Sequence, residues 1–258
     1  AQQYYYQQVT LYNNTPYKST NDWVISPVVS QQDYYVLKSL VGCQGGGKYY
    51  YINNDGILSS TYWTPTNGGQ FETTTLFGEH AHKIALAQNG DIIFYEKPYG
   101  NFSDVSYIQN GTLHSINGTY QPYYPINLLA TNDGLNLFYV NSDGRIIKCS
   151  RNTINSNSWT LSQSPSIYNV KLQSDLVLHP INQSYLYYRS ASNNIGCFNV
   201  NDWTHYSVTN TNDVSSNITL SADGTSIFYK NIPGVIKHCH ENLTVPPTWS
   251  NTVLMVKY

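Results

Sequence analysis

Short apolar runs alternate with polar turns along the whole chain, and this pattern predicts β-strands. Each unit begins with an apolar run, as in IALA from residue 84 and LVL from residue 176. A turn rich in Gly, Asn and Asp follows, then a strand with two adjacent aromatic residues, a second turn and another short strand. Asn-Gly and Asp-Gly turns are hairpin signals, because they tolerate the positive φ of tight turns. The chain is therefore predicted to be all-β.

The paired aromatic residues set the period of this pattern. LNLFYVNSDGRIIKC from residue 135 and TSIFYKNIPGVIKHC from residue 225 align without a gap. A period of about 45 residues is typical of solenoids, propellers and arrays. Units of four short antiparallel strands predict a single β-propeller domain over residues 1–258. The aromatic pairs that define the units are Tyr50-Tyr51, Phe94-Tyr95, Phe138-Tyr139, Tyr187-Tyr188 and Phe228-Tyr229.

Six blades fit the length best, because the first residues, YYYQQVTLY followed by Trp23, repeat the order of an aromatic strand and a Trp. Five blades plus an N-terminal strand arm over residues 1–12 is the alternative. The strand-like ends of the chain are suited to closing the ring, since an open edge leaves backbone groups unpaired. They are equally suited to pairing with a neighbouring molecule.

The repeated aromatic residues are expected to have two different roles. Adjacent residues of a strand face opposite sides, so each Phe-Tyr pair is predicted to pack against both neighbouring blades. A Trp near the end of a blade either fills the layer between blades or offers a stacking face to a sugar. The chain has such residues at Trp63, Trp159, Trp203 and Trp249, with Tyr107 in the unit that lacks a Trp.

Charge and composition exclude several classes of partner. The net charge is −2 and only 11% of the residues are charged, which gives no electrostatic footprint for nucleic acid. No stretch approaches the roughly 20 apolar residues that a membrane helix needs. No cofactor is expected either.

The start of the chain and its sequons favour an extracellular glycoprotein. The chain begins at Ala1 and its only Met is Met255, so we expect a mature product whose signal peptide has been removed. Asn-x-Ser/Thr glycosylation sequons begin at Asn13, Asn101, Asn110, Asn117, Asn182, Asn217 and Asn242.

The cysteines allow three pairings, and sequence does not choose among them. Cys149 and Cys239 occupy the same place two units apart, and Cys197 lies one residue earlier in its own unit. Matching positions two blades apart are too distant for a disulfide, so a Cys149–Cys239 bridge is excluded in a propeller. Zinc is not expected, since no Cys-x-x-Cys pair exists.

Catalytic and metal chemistry find little support in the residues. EHAH and HCH (Glu79, His80 and His82; His238, Cys239 and His240) each place two His on one strand face without an obvious third ligand. The acids are scattered and many stand in turns, and no Gly-x-Ser-x-Gly motif is present. The chain is predicted not to be an enzyme and to hold no metal.

The run LNLFYVNSDGRIIKC followed by SNSWT resembles a repeat of the fungal fucose-binding propeller lectins. In that family the sugar lies between adjacent blades and is held by an Arg, a Glu and an aromatic residue. The Arg position falls here on Lys48, Ile92, Asn136, Tyr185 and Ser226, and the Glu position on Ser60, Asp104, Lys148, Cys197 and His238. No unit carries both, so the resemblance implies the scaffold and not fucose specificity.

Two functions follow as expectations. The first is a secreted, non-enzymatic, lectin-like propeller that binds glycans, with the four Trp as stacking surfaces and Lys48, Asn136 and Asp104 as candidate polar contacts. Binding would then rest on Asn, Gln and Tyr donors, and repeated sites would compensate for weak single ones. The alternative is a structural subunit of an extracellular filament or coat, which self-associates through its strand-like ends and Tyr-rich surface.

Overall fold

The computed structural model describes residues 40–43, 47–64, 70–122, 127–171, 176–209, 212–242 and 248–253. In these ranges the chain forms five antiparallel sheets, each with four strands in sequential order, and sheet two has a fifth short strand. Sheet one contains β1 (Leu40–Gly42), β2 (Lys48–Ile52), β3 (Ile57–Thr64) and β4 (Gln70–His80). Sheet two contains β5 (Ile84–Ala87), β6 (Ile92–Tyr99), β7 (Phe102–Gln109), β8 (Thr112–Ser115) and β9 (Gln121–Pro122).

The other three sheets repeat the same order. Sheet three contains β10 (Leu129–Ala130), β11 (Asn136–Val140), β12 (Ile146–Ser150) and β13 (Thr160–Gln163). Sheet four contains β14 (Leu176–Leu178), β15 (Tyr185–Arg189), β16 (Ile195–Asn199) and β17 (His205–Ser207). Sheet five contains β18 (Thr219–Leu220), β19 (Ser226–Lys230), β20 (Ile236–Asn242) and β21 (Thr248–Val253).

The first strands of sheets one to four lie against one another in sequence. Strand β5 contacts β1 on one side and β10 on the other, and β10 also contacts β14. Each pair of adjacent sheets shares one apolar core, so the buried layers lie between sheets and not within them. This arrangement confirms an all-β propeller architecture of four-stranded blades. The predicted sixth blade and the alternative arm over residues 1–12 lie outside the described residues.

The aromatic pairs pack as their alternation predicts. Phe138 lies in the core shared with sheet four, whereas Tyr139 lies in the core shared with sheet two. Tyr187 and Tyr188 divide in the same way between sheets five and three. Large aromatic side chains bury much apolar area, and one such residue on each face joins a blade to both neighbours.

Asn-x-x-Gly turns close the hairpins of the repeated aromatic strands. Asn141 accepts a backbone hydrogen bond from Gly144 (3.0 Å), and its Oδ1 accepts another from Arg145 (2.9 Å). Asn53 and Asn231 make the equivalent pairs of bonds in sheets one and five. Gly144 adopts a φ of 76°, a region that favours glycine. The recurrent Asn and Gly residues therefore form the hairpin turns, as the sequence predicts.

Two details of the unit differ from the sequence-based picture. Trp63 belongs to the third strand of its sheet, β3, and a long fourth strand follows it. Tyr107 likewise lies on a third strand, β7, where it is fully buried. The sequence predicts both residues at the ends of their units. That prediction is wrong, because the third and the fourth strands both carry aromatic residues, and spacing alone does not distinguish them.

All four cysteines are thiols, and none is half of a disulfide. Cys149, Cys197 and Cys239 lie on the third strands of sheets three, four and five and are fully buried. Cys197 stands opposite Tyr187, whereas Cys149 stands opposite Leu137, which confirms the predicted offset of one residue.

Candidate functional site

An open cleft lies between sheets two and three, where the outer edge of sheet two is interrupted. Strand β8 pairs with one end of β7, and β9 pairs with the other end through Phe102↔Pro122 and Ser103↔Gln121. The residues between β8 and β9 leave the ladder and form a bulge. Gly118, Thr119, Tyr120 and Gln121 form one wall of a cleft of about 320 Å³.

The bulge exists because the β6–β7 hairpin is longer than its counterparts. Strands β2, β11, β15 and β19 have five residues each, whereas β6 has eight. The extra residues extend the hairpin, and β9 pairs with Phe102 and Ser103 in this extension. The other four described hairpins have no such extension, so this wall is a feature of sheet two and not of the repeat.

Thr119 holds the bulge against β7 by hydrogen bonds on the side away from solvent. Its side chain is buried, and its Oγ1 accepts a hydrogen bond from the backbone N–H of Val105 at 3.0 Å. The same hydroxyl lies within hydrogen-bond distance of the Asp104 carboxylate and of the Ile116 carbonyl oxygen. Asp104 also accepts from the backbone N–H of Val105 at 2.7 Å. Asp104 therefore holds the wall in place through Thr119.

Sheet three supplies the opposite wall. Tyr139, Ile147 and Gln163 form a row across β11, β12 and β13, because they are paired in register, and Leu161 lies beside them. Burial raises the pKa of the Tyr139 phenol far above its ordinary value, so the hydroxyl stays protonated. Ile147 and Leu161 make part of this wall apolar.

Two exposed aromatic rings stand next to the cleft. Tyr120 lines it and is 61% exposed, and its ring stacks on Phe102 with centroids 4.9 Å apart and an interplanar angle of 15°. Phe102 lies in the extended β6–β7 hairpin and Tyr120 in the bulge between β8 and β9. The hairpin and the bulge therefore form the cleft wall and also position the two rings. An exposed, oriented aromatic face suits the apolar face of a sugar.

The described residues that line the cleft are uncharged, and their polar groups are amides and hydroxyls. Asn141 uses its Oδ1 to hold the β11–β12 turn, so its Nδ2 group is what it can offer a ligand. The Nε2 atom of Gln121 is buried and has no hydrogen-bond partner among the described residues. Such a donor costs free energy until an acceptor reaches it.

Trp159 and Trp203, the two predicted stacking residues whose side chains the structure describes, do not line this cleft. Trp159 packs into the core between sheets two and three, edge-on to Phe94 at 5.9 Å, and the Arg151 guanidinium lies 4.8 Å from its ring. Trp203 packs edge-on to Phe198 at 5.7 Å in the next core. For Trp63 and Trp249 the structure gives strand register alone, opposite Phe71 and Glu241.

The predicted polar contacts are also spread over three sheets. Lys48 is an exposed residue of sheet one, with Nζ 4.9 Å from the centroid of the Tyr50 ring. Asn136 begins β11 at the end of that strand away from the cleft, and its backbone bonds to Thr131. Asp104 is the one that belongs to the cleft, through Thr119. The structure therefore does not bring Lys48, Asn136 and Asp104 together.

Glu79 and His238, from the two histidine motifs, contact other side chains. Glu79 accepts from Lys97 Nζ at 2.6 Å and from the Tyr95 hydroxyl at 3.2 Å. His238 stacks on Phe228 with centroids 5.0 Å apart. Within the described ranges, no group of three or more His, Cys, Asp and Glu side chains is arranged to hold a metal ion.

Sequence reasoning missed the cleft residues because it looked for function within the repeat. Gly118–Gln121 fall between units, and Gln163 closes a strand that carries no repeated motif. One signal was present: the second unit has EKPYGNF where the others have an Asn-x-x-Gly turn or a Ser at the same place. A departure from the repeat marks where one blade differs in shape.

The sequons with described side chains lie on the surface. All five are exposed and stand outside the strands: Asn101, Asn110, Asn117, Asn182 and Asn217. Asn13 and the side chain of Asn242 lie outside the described part of the chain. In the ranges that the structure describes, no helix is long and apolar enough to cross a membrane.

Comparisons with known proteins show the fold. No protein-family model matches the chain, and no curated protein is significantly similar to it. A putative 6-phosphogluconolactonase from Bacteroides uniformis is 20% identical, with a TM-score of 0.57, and the alignment covers 83% of this chain and 70% of that one. A chain of a nidogen/laminin complex is 13% identical, with a TM-score of 0.53 and coverages of 81% and 76%. A chain of a mitotic checkpoint complex is 10% identical, with a TM-score of 0.58 and coverages of 89% and 69%.

The first of these similarities contradicts the prediction that the chain is not an enzyme. A putative lactonase shares the fold, so this scaffold does not separate binding proteins from enzymes. The prediction was wrong because it took the lack of a familiar motif on a repeated scaffold as a sign against catalysis. Fold alone does not assign a reaction.

Proposed function

We propose that the protein is a lectin-like β-propeller that binds a neutral carbohydrate in the cleft between sheets two and three. The observation that carries the proposal is the uncharged lining of amides and hydroxyls beside the exposed Tyr120–Phe102 pair. Sugars present both hydroxyls and an apolar C–H face. The amides and hydroxyls of the lining can hydrogen-bond to the hydroxyls, and the aromatic pair can stack on the C–H face. The position between adjacent blades is also where the resemblance to the fungal fucose-binding lectins places a sugar.

The chemistry of the cleft favours a sugar without charge. Burying an ion without a partner is costly, and the described lining residues supply neither a cation nor a carboxylate to pair with one. The Asp104 carboxylate is already engaged by Thr119 and by a backbone N–H. Selectivity would therefore depend on hydrogen bonds from Gln121, Asn141, Ser162 and Gln163.

The proposal includes an extracellular location for the protein. Its support is the surface position of the five described sequons, since N-glycosylation occurs on secreted chains. Intact-mass measurement of material from a eukaryotic host, before and after enzymatic deglycosylation, tests this part. An unchanged mass would remove the support that the sequons give.

A glycan array followed by calorimetry with the best ligand tests the binding proposal. We expect Tyr120→Ala to weaken binding about tenfold, because it removes a stacking contact worth roughly 1.4 kcal/mol. Tyr62→Ala is the control, since Tyr62 is 39% exposed but lies on sheet one, away from the cleft. Binding that survives Tyr120→Ala unchanged would place the ligand elsewhere.

The same samples separate two other functions. Mass spectrometry of the glycan after incubation detects turnover, which would make the protein an enzyme acting on a sugar. Electron microscopy of the purified protein detects ordered polymers, and polymers without any glycan signal would favour the filament or coat subunit.

A further inference from the structure

The side-chain amide of Gln121 is a buried polar group in the wall of the cleft. Its Nε2 is buried without a hydrogen-bond partner among the described residues. Ser103, its cross-strand neighbour, is fully buried, and its Oγ also lacks a partner there. Cross-strand neighbours present their side chains on the same face, within about 5 Å. The amide can only donate through Nε2, so an acceptor on the ligand is what would complete its bonding.

The surroundings of this donor restrict the acceptor. Ile147 is 8% exposed and lies in the opposite wall, with Leu161 beside it. A hydroxyl group would satisfy the amide and leave this apolar surface uncovered. A carboxylate would meet no cation among the described lining residues, and its desolvation would be uncompensated.

An acetamido group meets both requirements, because it carries a carbonyl oxygen and a methyl group on the same carbon. The carbonyl oxygen accepts from Gln121 Nε2, and the methyl group packs against Ile147 and Leu161. The cleft holds about 320 Å³, near the lower end of the roughly 300–1,000 Å³ of small-molecule sites. That volume suits one sugar residue with its substituent.

We infer that the cleft selects N-acetylated hexosamines over the parent hexoses, and that Gln121 is the residue that determines this specificity. The inference rests on the proposed function and goes further by naming the sugar class. The Tyr120–Phe102 pair recognises a sugar ring in general, whereas Gln121 recognises the N-acetyl substituent.

Calorimetry with N-acetylglucosamine, N-acetylgalactosamine, glucose, galactose and glucosamine tests the inference. We expect at least one N-acetylated sugar to bind the unaltered protein about tenfold or more tightly than its parent hexose and than glucosamine. Gln121→Ala is expected to remove this preference, because the affinity for the N-acetylated sugar falls about tenfold, to that of the parent hexose. Gln121→Glu keeps the size of the side chain and loses the donor, so it is expected to act in the same way.

Gln88→Ala serves as the control, because Gln88 is exposed in the short β5–β6 turn and does not line the cleft. Thermal unfolding of each variant identifies any that fail to fold, and Gln121→Glu then decides the outcome. Equal affinity for N-acetylated and parent sugars, or a preference that survives both Gln121 variants, would overturn the inference and leave the proposed function standing. If no sugar binds and the glycan array is also negative, the proposed function fails as well.

Discussion

Gly196 lies directly beneath the ring of Tyr188 in sheet four, and its lack of a side chain shapes the core there. The two residues are cross-strand partners, and a Cβ on Gly196 would come within 2.6 Å of Tyr188 Cζ and Oη. The ring has little room to move, because it is 1% exposed and stacks on Phe198 at 5.2 Å. In sheet three the matching partner of Tyr139 is Ile147, so the ring in that sheet lies differently.

We predict that Gly196→Ala lowers the free energy of unfolding by about 1–3 kcal/mol, the usual range for overpacking a close-packed core. Gly47→Ala is the matched control, because Gly47 is exposed and a Cβ there would have no described atom within 4 Å. Urea unfolding followed by tryptophan fluorescence measures both. Equal stability of the two variants would show that Tyr188 moves aside without cost.

His205 links the same core to pH. Its ring stacks on Tyr168 with centroids 3.8 Å apart and meets Phe198 edge-on at 5.2 Å. Burial among these rings lowers the pKa of His205 below its ordinary value. The unfolded chain therefore binds a proton at a higher pH than the folded one, and stability falls as the pH drops through about 6.5 and below.

We predict that His205→Phe reduces the loss of stability between about pH 7.5 and pH 5.5, because phenylalanine keeps the stacking and cannot be protonated. Urea unfolding at the two pH values gives the difference. His80→Gln is the control for the loss of a histidine outside this core, since His80 is exposed at the end of β4. A His205→Phe variant with the same pH dependence as the unaltered protein would assign the effect to other groups.

The strands themselves follow from local sequence, whereas the joints between them depend on contacts distant in the chain. IALA and LVL predict β5 and β14, and the Asn-x-x-Gly motifs predict three of the hairpin turns, because these signals are short-range. Strand β9 has two residues, too few for any periodicity. It exists only because the extended β6–β7 hairpin offers it a partner, so the cleft that it opens could not be read from a repeat.

Arg151 directly follows β12, and it connects the end of β7 in sheet two with two connecting segments of sheet three. It is 4% exposed, and its Nε donates to the Gly134 carbonyl oxygen at 3.0 Å. Its Nη1 donates to Gln109 Oε1 at 3.0 Å and approaches the Ser156 carbonyl oxygen at 3.3 Å. Three segments of the chain thus depend on one side chain.

We predict that Arg151→Met lowers the free energy of unfolding by about 2–4 kcal/mol, because the hydrogen bonds are lost and buried acceptors are left unsatisfied. Arg189→Met is the matched control: the Arg189 side chain donates to Asn193 within its own turn, and its loss should cost less than half as much. Guanidinium chloride unfolding compares the two. Equal losses of unfolding free energy in the two variants would mean that the bonds of Arg151 between sheets stabilise the protein no more than the local bond of Arg189.

Each apolar core is formed by two successive sheets. A sheet in the middle of the series therefore contributes to two cores and packs against both of its neighbours. Cys149 lies in the core between sheets two and three, and Cys197 and Cys239 lie in the core between sheets four and five. The repeat in the sequence predicts this architecture well, because every unit must bury the same two faces. It does not tell whether the sheets unfold together, which depends on how strongly adjacent cores are coupled.

The buried thiols report on that coupling. Burial raises the pKa of Cys149 to about 12 and that of Cys239 to about 11, so near pH 8 both are protonated and unreactive in the folded protein. Cys43 is half-buried and is expected to react first with iodoacetamide.

If residues 1–258 form one cooperative domain, Cys149, Cys197 and Cys239 become reactive at the same urea concentration. Peptide mapping by mass spectrometry across a urea series measures each site, and Cys43→Ser removes the early signal. Modification of Cys149 at clearly lower urea than Cys239 would mean that the interface between sheets two and three opens on its own, and that the sheets do not unfold in one cooperative transition.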